Sequence, residues 1–272
     1  MTQTEKALSF RALHQRAGAF IIPNPWDMGT ARLLAHLGFE ALATTSAGFA
    51  ASLGRRDYNV RRDEVMAHIA TIAAATPLPV SADLENGFGD EPEFVAATIG
   101  LAAAAGVVGG SIEDSTRNAG QPIYEFEHAV DRVRAASETA RALSFPFTLT
   151  ARCENYLAGR TDIKDTIKRL QAYQEAGADV LYAPGLATKE DIVAVVSSVD
   201  RPVNVLAGLS GMEWNREQLA AMGVKRISIG SGLARAAFSA FFRAASEMQE
   251  RGTFAFAEGT MFLTEIGEMF PE

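Results

Sequence analysis

The sequence has almost no sulfur chemistry to offer: among 272 residues there is one cysteine, Cys153. A single thiol excludes an intrachain disulfide framework and a thiolate-rich zinc site, and it agrees with a reducing compartment. No apolar run approaches the roughly 20 residues of a membrane span. The opening Met1-Thr2-Gln3-Thr4-Glu5-Lys6-Ala7-Leu8-Ser9-Phe10 also lacks the basic and apolar regions of a secretion signal. The expected location is the cytoplasm, with no membrane partner. Positive charge is short too: 25 Lys and Arg stand against 33 Asp and Glu, a formal net charge of -8 with a pI near 5.2. Basic residues come singly or in pairs such as Arg55-Arg56 and Arg61-Arg62. That pattern leaves no electrostatic footprint for nucleic acid and makes small-molecule chemistry the better expectation. The four histidines, His14, His36, His68 and His128, all fall on predicted helices away from strand ends, so none is a credible general base.

What is present is alternation. Hydrophobic residues make up 48% of the chain and charged residues 21%, enough to bury a core in one large domain or two small ones. Leu37-Gly38-Phe39, Ala105-Gly106-Val107, Ala176-Gly177-Ala178 and Met222-Gly223-Val224 each close an Ala- or Leu-rich helical segment and open an apolar strand. Glycine suits the left-handed position just past a helix end, so each marks a helix-to-strand junction. Apolar runs predict strands at 20–22, 41–44, 79–82, 108–112, 147–151, 180–182, 203–206 and 227–229. Asp27 is placed to cap a helix bearing Ala31, Leu34 and Ala35 on one face, and a long helix is predicted from Ile123 to Leu143.

Eight strands alternating with helices, and no linker rich in Pro, Gly or Ser, predict the α/β class and a (β/α)₈ barrel of TIM type near its usual size of about 250 residues. A doubly wound sheet is the rival. The barrel is expected over 1–252, its last helix near Gly232 to Arg251. The tail, 253–272, carries Phe254, Phe256, Met261, Phe262, Leu263, Ile266, Met269 and Phe270, too many apolar side chains to leave in water. It is expected to pack as an extra helix on the barrel or on a neighbouring subunit.

In a barrel, chemistry gathers where strands end and βα loops begin. There the sequence places Asn24-Pro25-Trp26-Asp27, Thr44-Thr45-Ser46-Ala47-Gly48, Asp83-Leu84-Glu85, Glu113-Asp114 and Arg152-Cys153-Glu154-Asn155. Asp83, Glu85 and Glu113, crowded at neighbouring strand ends, would suit a hard divalent ion that takes oxygen ligands. The alternative is that such acids cap helices at their positive ends, the role expected of Asp27 and of Asp90 before Pro92. Gly87 and Gly89 leave room for backbone to approach a ligand, which favours a site for Asp83 and Glu85.

Thr44-Thr45-Ser46-Ala47-Gly48 through Leu53-Gly54-Arg55-Arg56-Asp57, Asp83-Leu84-Glu85-Asn86-Gly87-Phe88-Gly89, Ser111-Ile112-Glu113-Asp114 and Ala151-Arg152-Cys153-Glu154 resemble the isocitrate lyase and phosphoenolpyruvate mutase superfamily in order and spacing over roughly 20–240. The resemblance implies a (β/α)₈ barrel, often a tetramer in which the eighth helix is exchanged between subunits. It also implies a Mg²⁺ ion, or Mn²⁺ in its place, holding a 2-oxo acid or its enolate. Asp83 resembles the direct metal ligand, while Glu85, Glu113 and Asp57 resemble acids that reach the ion largely through water. Thr45, Ser46 and Ala47 resemble the loop that holds the substrate carboxylate, and Arg152 resembles the arginine that contacts substrate near the metal.

Three departures shape the expected chemistry. Glu85 stands where the family has a second aspartate, one methylene longer. The loop Ser115-Thr116-Arg117-Asn118-Ala119-Gly120-Gln121-Pro122 is short and lacks the catalytic cysteine of isocitrate and methylisocitrate lyases. Those lyases also carry a glutamate after strand six, where this chain reads Tyr182-Ala183-Pro184-Gly185, so isocitrate is a poor candidate substrate. Cys153 reads as a small packing residue rather than a nucleophile. Asn118, with Arg117 as a cationic helper, is a candidate to close over the substrate, although loop asparagines more often make turns. Tyr182 is either a proton donor or a core aromatic, and Asn204 either touches a ligand or satisfies backbone groups.

The leading expectation is a Mg²⁺-dependent lyase, a homo-oligomer (tetramer or dimer) as the resemblance implies, that cleaves or forms a C–C bond in a small 2-hydroxy or 2-oxo dicarboxylate through a metal-stabilised enolate. Oxaloacetate and substituted malates fit the short loop, and acids of the methylisocitrate type belong to the same expected class. Arg152, Asp57 and Glu113 are the expected catalytic groups; Thr45, Ser46, Ala47, Arg152 and Asn118 would bind substrate, and Asp83, Glu85, Glu113 and Asp57 the metal. P–C chemistry on phosphonopyruvate is the alternative within enzymes, and a barrel that binds a 2-oxo acid with little catalysis is the alternative outside them.

Overall fold

The computed structural model describes residues 1–208 and 212–270. Its order is α1 (Gln3–Gln15), β1 (Phe20–Ile22), α2 (Met28–His36), β2 (Leu42–Ala43), α3 (Ser46–Ser52), α4 (Arg62–Ala75), β3 (Val80–Asp83), α5 (Pro92–Ala104), β4 (Gly109–Glu113) and α6 (Phe126–Ala142). There follow β5 (Thr148–Arg152), α7 (Ile163–Glu175), β6 (Val180–Tyr182), α8 (Lys189–Ser197), β7 (Val203–Leu206), α9 (Arg216–Ala221), β8 (Arg226–Ser228), α10 (Gly232–Arg251) and α11 (Leu263–Glu268). All seven strand pairings are parallel, in the order β1-β8-β7-β6-β5-β4-β3-β2. The remaining seam is drawn together by the Ala43 N–H, which donates to the Pro23 carbonyl at 3.0 Å. The fold is the expected (β/α)₈ barrel, and the doubly wound alternative falls.

Period-2 alternation decides which side chains face the axis. Along β5, Leu149 and Ala151 join the apolar core between sheet and helices, while Arg152 lines the barrel's interior cavity. The β3, β4 and β5 ladders run one residue further than their apolar runs, so Asp83, Glu113 and Arg152 are the last strand residues rather than the first of the loops. Cross-strand register explains this: Asp83 stands beside Ser111, and Glu113 beside Arg152, whose ion pair extends the ladder past the apolar stretch.

Helix α1 was expected only as the helix that carries His14, with no bounds and no role assigned. Thr2 and Glu5 form its capping box, and Ala7, Phe10 and Leu13 close the N-terminal end of the barrel with Phe20, Ile22, Ala41 and Val108. Asp27 caps α2 by accepting from the Thr30 N–H at 2.7 Å, as expected. Asp90 does not cap α5: its Oδ1 accepts from the Tyr124 hydroxyl at 2.6 Å, and Glu91 holds the cap position. Pro92 takes the first helical position, where a backbone N–H would have no partner inside the helix.

In the tail, α11 is a short helix, Phe262 and Leu263 are exposed, and Met269 and Phe270 are half-buried where they border Arg32, His36 and Pro77. Residues 271–272 of the expected tail lie outside the described residues. Among the described residues no helix is long and apolar enough to cross a membrane.

Candidate active site

A cavity of ≈ 130 Å³ opens at the C-terminal end of the strands, walled by Thr45, Ser46, Ala47, Asp57, Asp83 and Arg152 above and by Tyr182, Asn204, Arg226 and Ser228 deeper in the barrel. Two larger clefts, of ≈ 330 and ≈ 360 Å³, lie at the opposite end around Arg11 and Asp179. They collect no strand-end acids, and barrels place their chemistry at the C-terminal face, so the smaller cavity is the candidate site.

Arg152 organises it. Its guanidinium reaches Asp83 Oδ1 at 3.1 Å, Glu113 Oε2 at 3.1 Å and Glu154 Oε1 at 2.8 Å, and lies 5.2 Å from the Tyr182 ring centroid. Glu154 is itself fixed by its N–H, which donates to Asp114 Oδ1 at 2.8 Å, while Asp114 Oδ2 accepts from the Tyr173 hydroxyl at 2.6 Å. Asp83 is oriented from the other side: its N–H donates to Thr44 Oγ1 at 2.9 Å, and its Oδ2 accepts from the Ser46 N–H at 3.1 Å. Ser46 and Ala47 open α3, with Thr45 as its cap. Thus the loop after β2 and the end of β3 are bonded directly to one another.

The second anchor is Arg117, which ion-pairs with Glu85 and lies over the rings of Tyr58, at 4.9 Å, and Phe88, at 5.5 Å. Tyr58, Glu85, Phe88 and Arg117 are the non-glycine residues with left-handed backbone among the described residues, φ between 51° and 64°. Strain of this kind collects where a structure must hold groups in a set arrangement, and all four meet at one guanidinium.

Burial raises the Glu85 carboxyl to about 8 despite Arg117, with Asp83, Glu113 and Asp57 pushing the same way. Burial likewise raises Glu113 against the pull of Arg152, and raises Glu154 to about 8. Asp57 is raised by burial and then by Asp83. Burial works against the charge of Arg152, but Glu154, Glu113 and Asp83 prevail and hold it protonated. Tyr182 is raised to about 12 by burial, so its phenol keeps its proton at neutral pH. Burial raises the Cys153 thiol well above its ordinary value; the residue is fully enclosed in the core and does not line the cavity.

Of the residues expected from sequence, Thr45, Ser46, Ala47, Asp57, Asp83 and Arg152 line one cavity, and Glu85 and Glu113 stand directly behind them. Asn118 is not brought there. It is exposed, its N–H donates to Thr116 Oγ1 at 3.0 Å and its Oδ1 accepts from the Gly120 N–H at 2.9 Å, the turn role. The histidines all lie on helices; His68 stacks on Phe49 at 3.6 Å and borders a ≈ 10 Å³ gap behind Asp83 and Glu85. Arg226, Ser228 and Tyr58 were missed. The first two carried a signal: in Arg226-Ile227-Ser228-Ile229 polar and apolar residues alternate, which puts two polar side chains on the inward face.

The acids provide the oxygen donors Mg²⁺ prefers, but among the described residues no three acidic or histidine side chains converge as a ready-made cage. That fits an ion held by one or two carboxylates with waters and substrate completing its shell. Asp83 faces the cavity, and the buried Glu113 Oε1 has no hydrogen-bond partner among the described residues. A carboxylate oxygen left without a donor beside other acids is better matched to a cation than to a structural role.

A family model described as phosphoenolpyruvate phosphomutase matches residues 10–249. The chain is 60% identical to a protein of Burkholderia cenocepacia J2315 provisionally described as a lyase/mutase, whose crystal structure superposes with a TM-score of 0.96 over 98% of this chain and 95% of that one. It is 27% identical to oxaloacetate decarboxylase of Marinomonas sp. strain MWYL1 over 96% of this chain and 90% of the relative. The structure of oxaloacetate acetylhydrolase with the product oxalate is 26% identical, with a TM-score of 0.88 over 98% and 94% of the two chains.

Proposed function

The chain belongs to the isocitrate lyase and phosphoenolpyruvate mutase superfamily, a family of Mg²⁺-dependent lyases and mutases, and on that premise we propose that it cleaves or forms a C–C bond in a small 2-oxo or 2-hydroxy dicarboxylate. One observation carries the reading: a single ≈ 130 Å³ cavity joins the Asp83 carboxylate, the Ser46 hydroxyl and the Arg152 guanidinium at adjoining strand ends. Its volume is below the roughly 300 Å³ at which drug-sized pockets begin, which suits an acid of a few carbons. The relatives named for oxaloacetate chemistry support oxaloacetate or a substituted malate as the substrate. The working compartment would be the cytoplasm.

Asp83 would hold the Mg²⁺ ion directly, with Glu85, Glu113 and Asp57 disposed to reach its waters. When bound, the cation supplies positive charge where a carbonyl oxygen gains negative charge as the neighbouring bond breaks. Arg152, locked by three carboxylates, presents a fixed planar donor to the substrate carboxylate without reorganising. Thr45, Ser46 and Ala47 orient the same carboxylate from the opposite wall. Tyr182 holds a proton at its phenolic oxygen and can deliver it to the carbon that becomes basic.

The test is ¹H and ³¹P NMR of the protein with Mg²⁺ and oxaloacetate, 2-methylmalate, methylisocitrate or phosphonopyruvate in turn, with an EDTA control. Metal-dependent pyruvate or oxalate from a carbon acid is the expected result. A phosphorus shift from phosphonopyruvate alone would replace the proposal by P–C chemistry, and silence from all four with a 2-oxo acid still bound would leave a binding barrel.

A further inference from the structure

The buried arginines differ in how their charge is met. Arg152 has three carboxylates; Arg169 has Asp114 and Asp165; Arg132 donates to the carbonyls of Asn86, Gly89 and Asp90. Arg226 has none of these. It is 5% exposed, its Nε donates to Asn204 Oδ1 at 2.9 Å, and its Nη1 has no hydrogen-bond partner among the described residues. Asn204 in turn donates from Nδ2 to Ser228 Oγ at 2.9 Å, beside the Tyr182 phenol. Arg226, Asn204, Ser228 and Tyr182 all line the same cavity that Asp83 and Arg152 line at its mouth.

A guanidinium taken out of water without a counter-ion is among the most unfavourable arrangements a core can hold, and burial accordingly lowers Arg226 to about 10. A hydrophobic residue of the same length would pack the barrel better. The neighbouring Arg152 makes the position still less favourable. A positive charge kept there, oriented by Asn204 and exposed to the cavity, is complementary to an anion that arrives with the ligand.

Resting on the reading of the cavity as a 2-oxo acid site, we propose that Arg226 binds the second carboxylate of the substrate, at the inner end of the cavity, and thereby selects four-carbon 2-oxo dicarboxylates over monocarboxylates. Arg152, Thr45, Ser46 and Ala47 hold the carboxylate next to the carbonyl; Arg226 receives the distal one, with Asn204 and Ser228 fixing the fork. The assignment makes the barrel interior part of the site, whereas sequence reasoning about strand ends stops at its rim.

Titration calorimetry with Mg²⁺ present tests this on two ligands. Oxalate fills only the mouth; 3,3-difluorooxaloacetate carries the same head and a distal carboxylate. In Arg226→Met, affinity for difluorooxaloacetate should fall on the order of 30-fold while oxalate stays within about twofold. Arg226→Lys should recover part of the loss, since it keeps the charge but not the fork. The melting temperature of unliganded Arg226→Met should equal or exceed that of the natural protein, because the variant removes an unmet charge. Equal losses for both ligands, no loss for either, or an Arg226→Met protein that does not fold would each overturn the proposal, the last by showing that Arg226 is structural. If the natural protein binds neither acid, the 2-oxo acid reading itself fails and takes this proposal with it; binding of oxalate alone would overturn only the assignment of Arg226.

Discussion

At the scale of single residues, the site is a balance between crowded acids and two guanidinium groups. Asp83→Ala removes the carboxylate that faces the cavity and leaves Arg152 and the Ser46 N–H each short of a partner. Metal-dependent turnover should fall by about 10³-fold or more, and Mg²⁺ affinity should fall with it. Glu85→Gln, which keeps the shape, should weaken the ion less. Unchanged Mg²⁺ affinity in both variants, read by calorimetry or by competition with Mn²⁺, would remove the metal reading. Arg117 can be tested separately. Arg117→Ala strands Glu85 and frees the rings of Tyr58 and Phe88, so stability should fall by about 1–3 kcal/mol and amide exchange in 115–122 should rise. Arg117→Lys should rescue little, because an ammonium cannot lie flat between two rings. Equal stability of natural protein and Arg117→Ala would show that the ion pair is only a surface contact.

Among the elements, α1 provides the clearest case of stability coupled to pH. His14 donates from its ring to the Phe10 carbonyl at 2.9 Å and packs edge-on against Phe10 and Phe20, at 4.8 and 5.0 Å. Burial, with a smaller push from Arg226, lowers it to about 3 from 6.5. A depressed histidine stays neutral in the folded chain while the unfolded chain takes up a proton below pH 6.5. Stability is therefore lost as pH falls from 6.5 toward 3, by about 2–3 kcal/mol for this residue at pH 4.5. His14→Phe should flatten the dependence of the urea midpoint on pH between 6.5 and 4, and an unchanged slope would show that His14 is not the group responsible. This helix also shows where the sequence is hard to read. Its apolar residues, Ala7, Phe10 and Leu13, recur every third position amid charge, so neither its bounds nor the face it buries can be read until the barrel end it covers is known. The eight strands were legible because each is an apolar run, and four of them, β2, β4, β6 and β8, open just past a glycine-marked helix end. Their ends were not, because Asp83, Glu113 and Arg152 break the apolar pattern while cross-strand pairing continues the ladder. The acids were legible from their place at strand ends. The choice of Arg117 over Asn118 was not, since it depends on a left-handed residue that turns Arg117 inward and leaves Asn118 to close the turn.

The whole molecule leaves one feature unmet within a single chain. Helix α10 runs for 20 residues, about 30 Å at 1.5 Å per residue, yet Ala234 is its one buried residue among those described. Phe241 and Phe242 are 73% and 71% exposed, and Phe238 reaches back to Trp26 with ring centroids 6.4 Å apart. Isolated apolar residues on a surface are ordinary, whereas several along one helix, with Phe254, Phe262 and Leu263 exposed in the tail, are what a second copy of the chain would be expected to cover. The exchange of the last barrel helix that the family implies would cover it. Light scattering should then find a dimer or tetramer whose melting temperature rises with protein concentration. Phe241→Asp with Phe242→Asp should give a monomer. The effect should reach the chemistry, because the segment that launches α10 is part of the site: Gly230 and Ser231 line the cavity, and the Asn24 side chain accepts from the N–H groups of Ile229 and Gly230 at 2.9 Å. Loosening α10 should therefore raise KM for the dicarboxylate while the barrel's circular dichroism stays unchanged. A natural protein that is monomeric at every concentration and fully active would show that α10 is stable alone, and that assembly contributes nothing to the site.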